Sequence, residues 1–320
     1  MNDLTNIGGQ AWSVPELNDL AAQNNLAAQV NLFLLCGKVD GLSPFTLSGY
    51  KTLLGVFLRY CTTAKITTPA EIKRNHMLVF INTLQQNRKP KTVQDYYKTL
   101  HRFFNWLVEQ EIIEVSPMVH MRTPRVPKTI IVPFRTEHIK DMLTLCDSNT
   151  FIGIRNRAII SVAIDTGLRL SELANITLPD IDMERELIKV MGKGAKERVV
   201  RIGRDAQKAL LKYLIARRDS TLKELWLTEE KKPLHSKGIQ EIMRRLKRQA
   251  GFTDVRCSMH TFRHTFATNA LRNKADLQDV RLLLGHSTLT MTLKYAATIS
   301  PEEAAERHKK FSPLDNLDLK

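Results

Sequence analysis

The chain has 320 residues, 43% of them hydrophobic, which is enough apolar content for one large core or two medium ones in a soluble globular protein. No apolar run approaches the ~18 residues that span a bilayer, and the opening MNDLTN lacks the basic-then-apolar layout of a signal peptide, so a cytoplasmic protein with no membrane partner is expected. Lys and Arg number 48 against 33 Asp and Glu, a net charge of +15, and a balance this basic at ordinary hydrophobicity suggests a polyanionic partner, nucleic acid first.

The charge is uneven: residues 1–118 hold 11 Lys and Arg against 9 Asp and Glu, and residues 119–320 hold 37 against 24. The second part is therefore expected to make more phosphate contacts. Cys36, Cys61, Cys146 and Cys257 never form CxxC, which argues against a zinc ribbon, a redox motif or a disulfide framework and reads as reduced core thiols.

In chain order, residues 1–16 carry no assignment, and residues 17–118 read as a helical domain. Ser43-Pro44 supplies a helix start, and Leu47, Tyr50, Leu54, Phe57 and Leu58 then share one helical face. A second stretch from Lys91 to Val108 repeats this plan, with Thr92, Tyr96, Leu100 and Phe103 matching Thr46, Tyr50, Leu54 and Phe57 at a shift of 46. Lys89, Lys91, Lys98 and Arg102 decorate this helix opposite its aromatic stripe, either as a solvated face or as a face for a DNA backbone. Residues 119–133 then form a proline-rich, basic stretch without helical period, expected as an extended linker.

Beyond the linker, residues 134–300 form the second domain. Arg135–Leu145 and Arg155–Ala174 look helical. Glu186–Met191 and Glu197–Ile202 look like strands joined by the glycine-bearing loop Gly192-Lys193-Gly194-Ala195-Lys196. Helices are predicted again at Asp205–Leu225, Gly238–Ala250 and from His260 onward. Residues 301–320 hold a further helix start and a tail. The fold class is mainly α, with a small antiparallel β-sheet in the second domain.

Four separated segments carry polar residues suited to phosphodiester chemistry. In Thr166-Gly167-Leu168-Arg169-Leu170-Ser171-Glu172-Leu173, Arg169 leaves a glycine turn, and the bland alternative is an ion pair with Glu172 three residues on. Lys193 lies in the hairpin loop, or is simply part of a basic turn. In Ser258 to Ala267, positions 260, 263, 264 and 267 fall on one helical face, which presents His260 beside Arg263. His260 and His264 could also chelate a metal, but Arg263 would repel the ion and the glutamate of HExxH is missing. The fourth segment, Leu282-Leu283-Leu284-Gly285-His286-Ser287, precedes Tyr295, one of six tyrosines, a residue type that usually packs in cores or interfaces.

Taken in order, TGLRLSEL, GKGAKER, HTFRHTFA, LLGHS and Tyr295 resemble the tyrosine recombinase (phage integrase) family, and its bacterial Xer members most. The resemblance covers nearly the whole chain. It implies a two-domain clamp, with a helical core-binding domain over 17–118 and a catalytic domain over 134–300. It also implies six active-site positions, Arg169, Lys193, His260, Arg263, His286 and Tyr295, supported by Glu172, with no metal and no cofactor. Tyr295 would attack the scissile phosphorus to give a 3′-phosphotyrosyl link and a free 5′-hydroxyl, with His260 as base and Lys193 as general acid.

The implied partners are double-stranded DNA and further copies of the chain, as a tetramer on two sites with residues 301–311 docked on a neighbouring protomer. An accessory DNA-bending or directionality factor is also compatible. The short stretch before the first helix leaves no room for the arm-binding module of lambda-like integrases. Two other classes remain: a type IB topoisomerase or hairpin telomere resolvase, against which chain length and Xer-like spacing count, and a non-catalytic DNA-binding protein, against which the full polar set counts.

Overall fold

A computed structural model describes residues 25–127, 131–192, 197–218 and 221–296, with single positions 302, 305 and 306. The chain divides into two compact units after Thr129.

The first unit is built of α1 (Leu26–Val39), α2 (Pro44–Thr63), α3 (Arg74–Asn87) and α4 (Pro90–Glu109). Local chemistry starts these helices. The Asn25 side chain accepts from the Ala28 N–H and the Ser43 hydroxyl from the Thr46 N–H, while Pro44 and Pro90 occupy first turns where no donor is missed. On α4, Val93, Tyr96, Tyr97, Leu100, Phe103, Phe104 and Leu107 are buried at helical spacing. They close an aromatic core in which Phe33 meets Phe103 edge-on at 5.4 Å and Phe57 meets Phe104 at 5.9 Å. The start of the expected linker packs on this unit: beside the fully buried Met118, the Tyr97 hydroxyl donates to the Met121 carbonyl at 2.6 Å. Cys61 is buried, whereas Cys36 is only half-buried.

The second unit orders α5 (Thr136–Thr144), α6 (Phe151–Thr166), α7 (Leu170–Ala174), β1 (Ile181–Asp182), β2 (Leu187–Met191), β3 (Glu197–Arg201), α8 (Arg204–Arg217), α9 (Ser236–Gln249), α10 (Met259–Arg272), α11 (Leu277–Leu284) and α12 (Leu289–Ala296). The central helix α6 buries Ala158, Ile159, Ile160, Val162 and Ala163 and packs against α8 and α10. The strands form an antiparallel sheet in the order β1-β2-β3, with β2 and β3 paired from Leu187↔Arg201 to Met191↔Glu197. Ile188, Val190 and Val200 face the core while Lys189 and Met191 face out, the period-two pattern read from the sequence.

Three expectations need correction. The hairpin gains a third strand, β1, whose two residues are too few to show a period. The helix expected over Asp205–Leu225 ends at Arg217, where Arg218 turns left-handed at φ 51°, and Leu225, Trp226 and Leu227 are buried outside any helix.

The third correction concerns the single helix expected over Arg155–Ala174. It begins earlier, at Phe151, and is split at Gly167, which is left-handed at φ 61° and caps α6. A β-carbon at Gly167 would stand 2.7 Å from the Phe266 ring and 3.0 Å from Leu284. Gly167→Ala is therefore expected to lower stability by about 1–3 kcal/mol, read as a fall in the urea midpoint at constant m-value. An unchanged midpoint would mean that the turn tolerates a side chain.

Candidate active site

The break at Gly167 makes Arg169 the N-cap residue of the short helix α7. Its backbone N–H donates to Glu172 Oε2 at 2.7 Å, and its Nη1 donates to Oε1 at 2.7 Å. Behind this turn, Trp226 Nε1 donates to the Leu173 carbonyl at 2.8 Å, which fixes a helix of only five residues to the core. The Arg169–Glu172 ion pair thus forms, but not as a solvated surface pair, since Glu172 is 5% exposed.

Glu172 holds a second arginine. Arg198 on β3 forks onto both carboxylate oxygens at 2.9 and 2.8 Å, and its Nε donates to the Leu283 carbonyl at 2.8 Å. Burial pushes the Glu172 carboxyl up, but hydrogen bonds from Arg198 and Arg169 outweigh it and hold the pKa at about 2, against an ordinary 4.5. Because the folded value is the lower one, this carboxylate stabilises the fold fully above pH 4.5 and loses that contribution as pH falls toward 2. The difference corresponds to about 3 kcal/mol. Urea unfolding of wild type and Glu172→Gln from pH 6 down to about 2.5 should show the steeper acid loss in wild type, and parallel curves would contradict the assignment.

Arg263 lies on α10, 4% exposed. Its Nη1 donates to the Gly167 carbonyl at 3.0 Å and its Nη2 to the Leu284 carbonyl at 2.6 Å, so one planar guanidinium joins the ends of α6 and α11. Burial first, and Arg169 second, lower its pKa to about 10, and it stays charged at neutral pH. Arg169 Nη2 reaches the Gly285 carbonyl at 3.2 Å. Gly285 is itself left-handed at φ 63°, ending α11.

His286, next in the chain, is 6% exposed, with Nδ1 2.8 Å from Thr292 Oγ1. Burial, then Arg263, Arg169 and Arg198, lower its pKa to about 4, so the imidazole is neutral at physiological pH. Its ring stacks on Tyr295 at 5.9 Å and 12°, while His264 meets the same phenol ring edge-on at 5.0 Å. Tyr295 is 7% exposed, in a cluster with Ala267, Leu271, Val280 and Leu284. His260, in the first turn of α10, is exposed. It opens, with Arg169, Arg263, Arg244 and Arg256, onto a cavity of about 590 Å³. Partial burial of its ring, then Arg263 and Arg256, lower its pKa.

The structure thus brings Arg169, Glu172, Arg263, His286 and Tyr295 into one network, with Arg169, His260 and Arg263 sharing a basic cleft. Lys193 lies outside the described residues, as do residues 301–311 except Glu302, Ala305 and Glu306. Lys89, Lys91, Lys98 and Arg102 belong to the first unit. All four are exposed, Lys91 pairs with Asp95 at 2.6 Å, and the Arg102 guanidinium stands 5.9 Å from the Tyr50 ring centre. Sequence reasoning missed Arg198, His264 as a neighbour of Tyr295, and Thr292. Arg198 left a signal, since it shares strand parity with the buried Val200, and a charge on the inward face of a strand needs a partner.

Residues 134–300 match the phage integrase family, and residues 31–114 match the phage integrase N-terminal SAM-like domain. The chain is similar to tyrosine recombinase XerD of Oceanobacillus iheyensis, 31% identical with 80% of this chain and 88% of that protein covered. It is also similar to tyrosine recombinase XerD of Listeria innocua, 28% identical over 91% of this chain and 99% of that protein. Among solved structures, a lambda integrase dimer bound to a COC′ core site shares the fold at a TM-score of 0.73, with 16% identity, 90% of this chain and 81% of that chain covered. Matched across more than half its length, the chain is a tyrosine recombinase of the phage integrase family.

Proposed function

We propose that the protein is a site-specific recombinase that cuts and rejoins duplex DNA through Tyr295. The observation that carries this reading is that Arg169 and Arg263 line one basic cleft and hold the end of α11, which leads directly to the neutral His286 imidazole stacked on Tyr295. In the proposed reaction the Tyr295 oxygen attacks the scissile phosphorus, an O–P bond forms, and the bond from phosphorus to the 5′-oxygen breaks. The phenolic proton passes to His260, whose lowered pKa keeps it neutral and able to accept. The departing 5′-oxygen takes a proton from Lys193. A 5′-hydroxyl of another strand then reverses the step, so the phosphodiester bond energy is kept.

Arg169 and Arg263 stabilise the negative charge that grows on the non-bridging oxygens. Neutral His286, oriented by Thr292, adds a ring N–H donor to the same phosphate. Lys89, Lys91, Lys98 and Arg102 contact DNA phosphates, and Lys91 contributes less because Asp95 already balances it. The protein works in the cytoplasm as a tetramer on two DNA sites, with residues 301–311 docked on a neighbouring protomer and an accessory factor setting direction. Among the described residues no helix is long and apolar enough to cross a membrane.

The test is a pool of duplexes with randomised centres, each nicked so that cleavage releases a short fragment and traps the intermediate. A protein–DNA adduct that survives denaturation, followed by strand exchange when a second duplex carrying the selected sequence is supplied, supports the reading. Supercoil relaxation without exchange would instead favour a topoisomerase, and binding without any adduct would leave a DNA-binding protein.

A further inference from the structure

The carbonyls of Leu283, Leu284 and Gly285, consecutive at the end of α11, are each held by a different arginine: Arg198 at 2.8 Å, Arg263 at 2.6 Å and Arg169 at 3.2 Å. His286 follows directly. The C-terminus of a helix carries unpaired carbonyls and partial negative charge, so it attracts cations, but three guanidiniums gathered there repel one another. Glu172 resolves this by accepting from Arg169 and Arg198 together.

We propose that Arg198 is a positioning residue of the strand-cleavage site: it braces Glu172 against Arg169 and ties β3 to the Leu283–Gly285 turn, setting where Arg169 and His286 stand relative to the scissile phosphate. The inference rests on the recombinase reading above. Two observations separate Arg198 from Arg169, the more open of the arginines assigned to the phosphate. All three of its nitrogens are engaged within the protein, Nη1 and Nη2 on Glu172 and Nε on Leu283, and its side chain is 13% exposed against 34% for Arg169.

It therefore acts through other groups. The fit is close as well: a β-carbon on Gly285 would stand 3.1 Å from Arg198 Nη1, so the turn and the guanidinium are in tight contact and a side chain there would press on the fork. Arg198 also lies near the start of β3, so its bracing fixes that end of the strand.

The experiment compares wild type with Arg198→Ala and Arg198→Lys on a nicked duplex selected as above, measuring single-turnover adduct formation, affinity for the intact duplex, and thermal midpoint. A small misplacement of reacting groups costs on the order of 10²-fold in rate, so Arg198→Ala should form adduct about 10²-fold more slowly with Kd changed by less than about threefold. Arg198→Lys keeps the charge but cannot fork, and should recover only part of the rate.

The pH profile gives an independent readout. Without Arg198, Glu172 faces Arg169, Arg263 and His286 and loses its forked partner, so its pKa rises. The acid limb of the adduct rate should then move to higher pH in Arg198→Ala. If the alanine variant does not fold, Arg198→Gln, which keeps donors without charge, replaces it with the same expectation. A folded variant with wild-type rate and profile overturns the inference alone, as does a rate loss matched by an equal loss of affinity and fully restored by lysine. No adduct from wild type on any duplex removes the recombinase reading, and this inference with it.

Discussion

Tyr295→Phe should abolish the covalent protein–DNA adduct, by at least about 10⁴-fold in rate, while leaving the fold intact. The substitution keeps the ring, and with it the stacking on His286, the edge contact with His264 and the packing on Val280 and Leu284. The loss of stability is bounded by the hydroxyl, at about 0.5–1.5 kcal/mol.

No other tyrosine of this unit can replace it. Tyr213, its only companion there, is fully buried, donates its hydroxyl to the Leu225 carbonyl and accepts from the Leu227 N–H. Tyr60 and Tyr97 in the first unit are committed to the carbonyls of His76 and Met121. The suicide duplex assay reads this directly. An adduct that persists in the phenylalanine variant, with the cross-link mapped elsewhere, would remove Tyr295 from the mechanism.

Arg263→Ala is expected to separate rate from stability. The two hydrogen bonds from its guanidinium to the Gly167 and Leu284 carbonyls contribute about 1.5–3 kcal/mol each for a charged donor. Against this, a pKa lowered to about 10 from 12.5 corresponds to about 3 kcal/mol spent on burial and on repulsion from Arg169. The net loss of stability is then roughly 0–3 kcal/mol, with water able to enter the vacated site and serve the carbonyls. The rate of adduct formation should fall by about 10²-fold or more, because a donor aimed at the transition-state charge is gone.

An arginine that contributes so little net stability at such a cost in desolvation fits the role proposed for it at the phosphate. Arg263→Lys should keep most of the stability that charge provides yet regain little rate, since an ammonium cannot bridge two carbonyls and a phosphate in one plane. Urea midpoints set beside single-turnover rates decide the matter. A midpoint that collapses while the adduct rate per folded molecule is unchanged would make Arg263 purely structural.

Much of the architecture was readable locally. Ser43-Pro44 starts α2, the aromatic period of α4 marks its buried face, and the alternation in Glu186–Met191 and Glu197–Ile202 marks the hairpin. Each of these signals acts within one or two turns or one strand pair, where backbone capping and side-chain periodicity are written into neighbouring residues. The ordered motifs likewise supplied the residue types of the site and, through family resemblance, the roles proposed for them.

Tertiary structure alone decided how those residues meet. Gly167 ends α6 where Phe266 and Leu284 leave no room for a side chain, which puts Arg169 on a cap instead of a helix face. Trp226 secures α7 from 53 residues away, and Arg198 reaches Leu283 across 85. Such contacts have no local period, and a forked arginine reads in sequence like any other basic strand residue. Residue types and element starts are local properties of the chain, whereas the sharing of one carboxylate by two arginines and of one helix end by three exists only once α7, β3, α10 and α11 are packed together.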